Sequence, residues 1–299
     1  MGNVVIGADA IMLKGAVVTA MAHKVRLKED TFVYNSAAYR TPEGSVVEEL
    51  VKRRPGAEVS DDGTIKINGK EVKKILVAMD PFATVIDEAI EIGADLIVTH
   101  HPLIFGEDLK AVNENTETGR CLLKLMENGI AAINAHTNLD MAPGGINEVL
   151  AQKLALVNIR VADPSGTDSE GRDWGLIRMG EVPEQPLEAF LNRVKTLLGC
   201  EGLRYVNSDK AVRKVCVGGG SCGGFVSEAA KLGCDTFVTA DVKYNQFRTA
   251  FELGINLIDA GHFHTENPTM PIVAEKLRKA FPGVEVIFSE KHRDVMRFY

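Results

Sequence analysis

From Lys73 onward, apolar residues gather in short continuous runs separated by segments of helical spacing. Ile75–Met79 reads as a strand, Thr84–Ile92 (TVIDEAIEI) as a helix closed by Gly93, and Leu96–Thr99 as the next strand. Thr118–Asn128 is a second helix, Gly129 its cap, and Ile130–Ala135 a third strand. This βαβαβ rhythm predicts a parallel sheet covered by helices. Ile146–Leu154 continues as a helix, and the polar stretch 157–172, with Pro164, Gly166 and Gly171, reads as a connector. Trp174–Val182 suits a strand, Leu187–Leu198 an amphipathic helix, and Leu203–Val206 another strand.

The second half repeats the first. Lys74-Ile-Leu-Val-Ala78 aligns with Lys214-Val-Cys-Val-Gly218, and Glu88–Thr99 with Glu228–Thr239, at one constant offset and without a gap. Gly129–His136 then pairs with Gly254–His262 after a one-residue adjustment. The expected fold class is α/β: two similar α/β lobes, with mostly parallel sheets, facing a central metal cleft. The expected organisation is an N-terminal segment over 1–70, a first lobe over 71–156, a connector with strand-helix-strand over 157–210, and a second lobe over 211–299. Within 1–70 only fragments are readable: β-rich patches at Asn3–Ile6 and Thr31–Tyr34, helical spacing at Ser45–Arg53, and a hairpin over 60–70 with turns at Asp62-Gly63 and Asn68-Gly69.

Composition narrows the function classes. The chain has 299 residues, 45% hydrophobic and 25% charged, which is ordinary for a globular protein able to bury one or two cores. A formal charge of -7, with no basic stripe, argues against general nucleic-acid binding. Five scattered cysteines without a C-x-x-C fit free thiols in the cytoplasm. Val4–Ala22 carries Asp9 and Lys14 and reads as neither signal peptide nor membrane span.

The candidate chemistry sits where the apolar runs stop. Asp95-Leu-Ile-Val-Thr-His-His-Pro102 ends a strand on two imidazoles, each bringing a polar nitrogen that needs a partner. The last strand of each lobe runs into one chemical phrase: His136 then Asp140 in the first, His262 then Glu266 in the second, with His264 between. In a helical turn, positions i and i+4 share a face; in extended chain they also point the same way, farther apart. Five of seven histidines thus lie in three segments at strand ends, beside two carboxylates, where sites form in open α/β sheets. Mixed imidazole and carboxylate donors suit zinc, iron, manganese or nickel better than calcium or magnesium. The donors outnumber the needs of one ion. A pair of divalent transition-metal ions roughly 3.5–4 Å apart is therefore expected, with the adjacent His100 and His101 serving different ions.

Other features are weaker. Gly218-Gly-Gly-Ser-Cys-Gly-Gly224 lies between a strand and a helix, where amides can hold a phosphate, or it is simply a tight turn. Asp241–Asn245 holds the place in lobe two that His101 and its followers hold in lobe one, so Lys243 or Tyr244 can meet a substrate anion. His23 and His292 belong to no cluster and are expected at the surface.

The phrases DLIVTHHPLIF, AHTNLDMAPGGINEVLA, GGGSCGG and LIDAGHFHTE, in this order, resemble those of the Nif-three-like dinuclear-metal proteins, often described as GTP cyclohydrolase I type 2 homologs. The resemblance covers residues 71–299. It implies metal ligands at His100, His101, Asp140, His262 and Glu266, with His136 and His264 lining the site and no catalytic residue assigned. It also implies a ring-shaped homohexamer. Residues 1–70 depart from the family, lacking its leading helix and W-D-N-x-G-like segment, and the long insert of larger members is missing. The expected activity is metal-dependent hydrolysis of a small molecule, GTP ring opening being a candidate through the resemblance alone. The alternatives are a non-enzymatic metal-binding, regulatory or metal-delivery assembly, and a structural protein whose histidines are merely hydrogen-bonded.

Overall fold

The runs Leu96–Thr99, Thr236–Thr239 and Asn256–Asp259 are buried at every position, as strands covered on both faces must be. The computed structural model in which they lie describes residues 25–28, 31–34, 51, 56–60, 63–105, 112–168 and 171–299. The chain divides into units Met1–Arg40 and Thr41–Tyr299. In the first, β1 (Val25–Lys28) and β2 (Thr31–Tyr34) pair as an antiparallel ribbon, so the patch at Thr31–Tyr34 is a strand. Asn3–Ile6, His23 and all of Ser45–Arg53 except Val51 lie outside the described residues.

The second unit begins with an antiparallel meander of β3 (Ala57–Val59), β4 (Ile65–Ile67) and β5 (Lys70–Val72). The βαβ rhythm follows: β6 (Lys74–Ala78), α1 (Ala83–Glu91), β7 (Leu96–Thr99), α2 (Glu117–Glu127), β8 (Ala131–Asn134), α3 (Thr137–Met141) and α4 (Ile146–Lys153). Next come β9 (Val157–Val161), the short ribbon of β10 (Gly166–Thr167) and β11 (Asp173–Trp174), β12 (Arg178–Gln185), α5 (Leu187–Leu198) and β13 (Arg204–Val206). The repeat supplies β14 (Val212–Val217), α6 (Val226–Lys231), β15 (Thr236–Thr239), α7 (Tyr244–Leu253), β16 (Asn256–Asp259) and α8 (His262–Glu266). The chain ends with α9 (Met270–Ala280) and β17 (Glu285–Phe288).

Two sheets carry the fold. The first, in order β17-β6-β7-β8, is parallel throughout. The second, β13-β16-β15-β14-β12-β9, is parallel only across β14, β15 and β16; β13, β12 and β9 run antiparallel to their neighbours. One face of the first sheet packs on α9 through Met270, Val273 and Leu277, and the other on α1 and α2 through Ile86 and Leu125. Helix α4 bridges two cores along its length: Ile146 in its first turn joins the core of the first sheet, while Leu150 and Leu154, one and two turns on, join that of the second.

The internal repeat is reproduced down to its hydrogen bonds. Asp95 Oδ2 accepts from the Lys73 and Lys74 amides, and Asp235 Oδ2 from those of Arg213 and Lys214. Lys74 Nζ caps α1 at Ile92 O, as Lys214 Nζ caps α6 at Leu232 O. An aspartate just before a strand thus pins the start of its neighbour in both sheets.

Three expectations differ. The stretch 157–172 is not all connector: Val157–Val161 pairs with β12 as an edge strand, its alternating exposure masking the signal. The run Trp174–Val182 is broken at Gly175–Ile177 into β11 and β12. Around 60–70 the hairpin gains a third strand, β3, with the second turn carried by Asn68 at φ 50° and Gly69 at φ 78°.

Candidate metal centre

Parallel strands leave their loops at one edge, and the candidate residues fall there. At the end of β7 the His100 and His101 amides both turn to Met79 O, at 3.1 and 2.9 Å, while Thr99 Oγ1 donates to His101 O at 2.6 Å. That turn releases two adjacent imidazoles into one space. At the ends of β8 and β16 the chain enters a helical turn in both histidine-carboxylate phrases: α3 carries Asp140, and α8 carries His262 and Glu266. Gly261, at φ 83°, makes the reversal into α8.

The side chains converge. Glu266 Oε2 lies 3.5 Å from His100 Nε2, 3.1 Å from His101 Nε2 and 3.0 Å from His262 Nε2. Asp140 Oδ1 is 3.6 Å from His100 Nε2, and the Nε2 atoms of His101 and His262 are 3.2 Å apart. Among the described residues, three groups are compact enough to hold an ion: His100, Asp140 and Glu266; His101, His262 and Glu266; and His100, His101 and His136. Gly220 makes room for this. A Cβ there would stand 2.1 Å from Glu266 Oε1 and 3.1 Å from His262 Nε2.

Each imidazole is oriented from behind. Nδ1 of His100 bonds Ala135 O at 2.7 Å, that of His101 bonds Asp80 Oδ1 at 2.5 Å, and that of His262 bonds Asp241 Oδ2 at 2.7 Å. Acceptors at all three positions place a proton on Nδ1, so each neutral ring presents an Nε2 lone pair inward. His100 Nε2, Asp140 Oδ1 and Glu266 Oε2 are buried without a hydrogen-bond partner. Converging lone pairs and carboxylates without donors are costly unless a cation lies among them.

Without that cation, protons take its place. Burial disfavours charge on His101 and His262, but the carboxylates beside them, Asp80 and Glu266 for His101 and Asp241 and Glu266 for His262, outweigh it and push them up to about 9 and about 10. Glu266 is held far below the ordinary carboxylate range, burial being overcome by the three imidazoles. Burial, aided by the Glu266 charge, pushes Asp140 up to about 7. Burial and the charges of His100 and His101 push His136 down to about 4.

Not every candidate joins the cluster. His136 belongs to the third of those groups alone: it caps α3 at the edge of the cluster, its ring 5.2 Å from that of His100, and its side chain makes no hydrogen bond to a described residue. His264 points elsewhere: Nδ1 bonds Leu198 O, and Nε2 pairs with Asp294 at 3.1 Å. Lys243 and Tyr244 are exposed, while Asp241 serves His262. In the glycine turn, the amides of Gly218, Gly219, Gly220 and Cys222 are taken by Val238 O, Asn147 Oδ1, Thr265 Oγ1 and Gly220 O, leaving none of these four for a phosphate. Cys222 is buried, and burial with nearby carboxylates pushes its thiol up to about 12, against a nucleophile role. His292, expected at the surface, is 8% exposed and bonded to Asp80, since its chain end folds back onto the sheet.

Asp80 was missed, though it could have been found as an acid at the end of β6; Asp241 was placed as the repeat partner of His101 without its orienting role; His292 carries no local signal.

The chain is similar to known proteins. The sequence profile of Duf34/NIF3 (NGG1p interacting factor 3) matches residues 45–295. Proteins named GTP cyclohydrolase 1 type 2 homolog are similar: that of Clostridium perfringens is 36% identical over 232 residues, covering 77% of this chain and 87% of its own. That of Clostridium acetobutylicum is 33% identical over 237 residues, covering 76% and 86%. A Bacillus cereus protein related to NIF3, solved by crystallography, superposes with a TM-score of 0.74 at 25% identity, covering 85% of this chain and 95% of that one.

Proposed function

The chain belongs to the Duf34/NIF3 family, and from that premise we propose that its buried histidine-carboxylate cluster is a dinuclear metal centre of a metal-dependent hydrolase. His100, Asp140 and Glu266 hold one ion, and His101, His262 and Glu266 the other, Glu266 being common to both groups. The observation that carries this reading is the common aim of three tautomer-fixed Nε2 atoms at carboxylates that lack donors. The mixed nitrogen and oxygen donor set suits zinc, iron, manganese or nickel. Elemental analysis of protein purified without chelators tests it: about two ions per chain are expected, and clearly substoichiometric metal after reconstitution would leave only a structural role for these histidines.

When bound, such a pair of ions supplies Lewis acidity towards a carbonyl, phosphoryl or ring carbon. The chain's own residues do the rest. Asp80 and Asp241 hold two rings in register, and Glu266 fixes the spacing of the two groups. His136, neutral at physiological pH and with no side-chain hydrogen bond to a described residue, stands where its ring nitrogens can donate or accept a hydrogen bond. Phe105, 81% exposed and edge-on to His136 at 6.0 Å, offers an apolar wall to a small-molecule substrate. Because the relatives bear the name GTP cyclohydrolase 1 type 2 homolog, GTP is the first substrate to assay. Turnover by metal-loaded protein, absent in Asp140→Ala, is expected; equal rates in the two would remove the hydrolase reading.

A second reading has its own observation. His100, Asp140 and Glu266 are 0%, 8% and 4% exposed, which favours retention of an ion over access to it. A metal-binding regulatory or delivery assembly would show two tight ions and no turnover across a broad panel of substrates. Among the described residues no helix is long and apolar enough to cross a membrane. The negative net charge supports work on small molecules rather than nucleic acid, and the free cysteines support the cytoplasm. The family resemblance supports a homohexamer, and a monomeric mass by light scattering would overturn it.

A further inference from the structure

The end of the chain reaches the candidate centre. After β17, Ser289 donates its amide to Val77 O at 2.8 Å and its hydroxyl to the Glu88 carboxylate. Glu88 Oε1 also accepts from the Glu290 amide at 2.9 Å, and Ser289 Oγ from the His292 amide at 3.1 Å. Glu88 is only 5% exposed, so these charge-assisted bonds form away from water and fix the tail firmly. They deliver the His292 imidazole between Phe82 and Phe263, whose ring centroids lie 5.8 and 5.1 Å away. Two residues on, Asp294 pairs with His264 of α8.

From that slot His292 Nε2 stands 3.0 Å from Asp80 Oδ2 and 3.3 Å from the Asp80 amide nitrogen; because Nδ1 is buried without an acceptor, the proton belongs on Nε2, which donates to Oδ2, while Asp80 Oδ1 holds His101 Nδ1 at 2.5 Å. A carboxylate tied through one oxygen can rotate about its last bond; tied through both, it is fixed in plane, and so is the ring it holds. We propose that His292 is a positioning residue for the metal centre: by holding the second oxygen of Asp80, it fixes the ring of His101 and the aim of His101 Nε2 at Glu266 and His262. Packing does not explain an imidazole here. A phenyl ring would fill the slot between Phe82 and Phe263 without leaving a buried nitrogen unpaired, as His292 Nδ1 is. What an imidazole adds is its bond to Asp80.

This inference rests on the metal-centre reading, and one experiment separates the two. Zinc affinity is measured by chelator competition for wild type, His292→Phe, His292→Gln, Asp80→Ala and the pair Asp80→Ala with His292→Phe. Unfolding temperatures of the metal-free proteins serve as the control for folding. Wild type should bind two zinc ions, and His292→Phe should weaken one of them roughly 10–100-fold, the usual effect of losing an outer-shell partner. His292→Gln, which keeps an N–H donor, should recover part of the loss. On the Asp80→Ala background His292→Phe should change nothing further, because the two act as one unit. Wild-type affinity for both ions in His292→Phe would overturn the proposal, as would an equal loss with and without Asp80. If His292→Phe does not fold, the same two comparisons are read on His292→Gln, where a several-fold loss is expected. A wild-type protein that takes up no zinc would remove the metal-centre reading itself, and this inference with it.

Discussion

Loading the metal-free protein with zinc should release at least two protons per chain near pH 7.5. His101 and His262, pushed up to about 9 and about 10, are then almost fully protonated, and a ligating imidazole must be neutral. Asp140, at about 7, adds a small fraction, and His100, which despite its burial is raised by Glu266 and Asp140, adds to the release. Isothermal calorimetry in buffers of different ionisation enthalpy reads the number directly as the slope of observed heat against buffer heat. The sign follows from competition: protons and zinc seek the same lone pairs, so affinity rises with pH until both imidazoles are neutral. Two protons released correspond to about a hundredfold gain in affinity per pH unit between roughly pH 7 and 8.5, flattening above about 10. Asp241→Asn should cut the release by up to one proton, because His262 loses the carboxylate that helps hold its proton. A slope near zero at pH 7.5 would refute the reasoning. It would mean that the rings are already neutral and that the carboxylates do not set their charge.

Three further outcomes follow from the same geometry. Glu266→Ala should lose both ions, whereas Asp140→Ala should lose one, since Glu266 belongs to both groups and Asp140 to one; elemental analysis of the two variants checks this. Gly220→Ala should cost about 1–3 kcal/mol, because φ is 60° and the added Cβ would meet Glu266 Oε1 at 2.1 Å. Thermal unfolding measures that cost, and unchanged stability with full metal would contradict it. In metal-free protein the raised imidazole pKa values contribute stability that is complete below about pH 6.5 and is lost as pH rises through about 9 and 10. Asp140, also raised, acts in the same direction, so the unfolding temperature of chelator-treated protein should fall from pH 7 to 10, and a rise would refute the assignment.

Much of the fold was legible because parallel strands and their covering helices write their periods locally. Leu96–Thr99 and Leu187–Leu198 coincide with β7 and α5. The misread stretches are edge elements. In β9 the exposed positions Val157, Asn158 and Arg160 look like connector, because half of an edge strand faces water. Pairing partners are not a local property, so nothing in Glu285–Phe288 announces that β17 lies beside β6. The site divides in the same way. The residues that end strands on imidazoles stand out, because histidine there is chemically expensive. The groups that orient them do not, because an aspartate in a loop is commonplace. His292 was invisible for a stronger reason: its partner Asp80 lies more than two hundred residues away, and the pairing of β17 with β6 and the Glu88 anchor bring them together.

The repeat also explains why the cluster is not symmetric. Asp80 and His101 of the first lobe correspond in the repeat to Gly220 and Asp241 of the second. In the first lobe the second strand gives the imidazole and the first strand its carboxylate; in the second lobe the second strand gives the carboxylate, and α8 gives the imidazole. The position that carries a carboxyl group in Asp80 carries only hydrogen in Gly220, and the vacated space is filled by the Glu266 side chain. Glutamate, one methylene longer than Asp140 at the matching place, then reaches three imidazoles where Asp140 reaches one. A shared carboxylate therefore needs both changes together: a longer acid on α8, and a glycine opposite that admits it. Either alone would leave two separate half-sites, each with too few donors to hold an ion tightly.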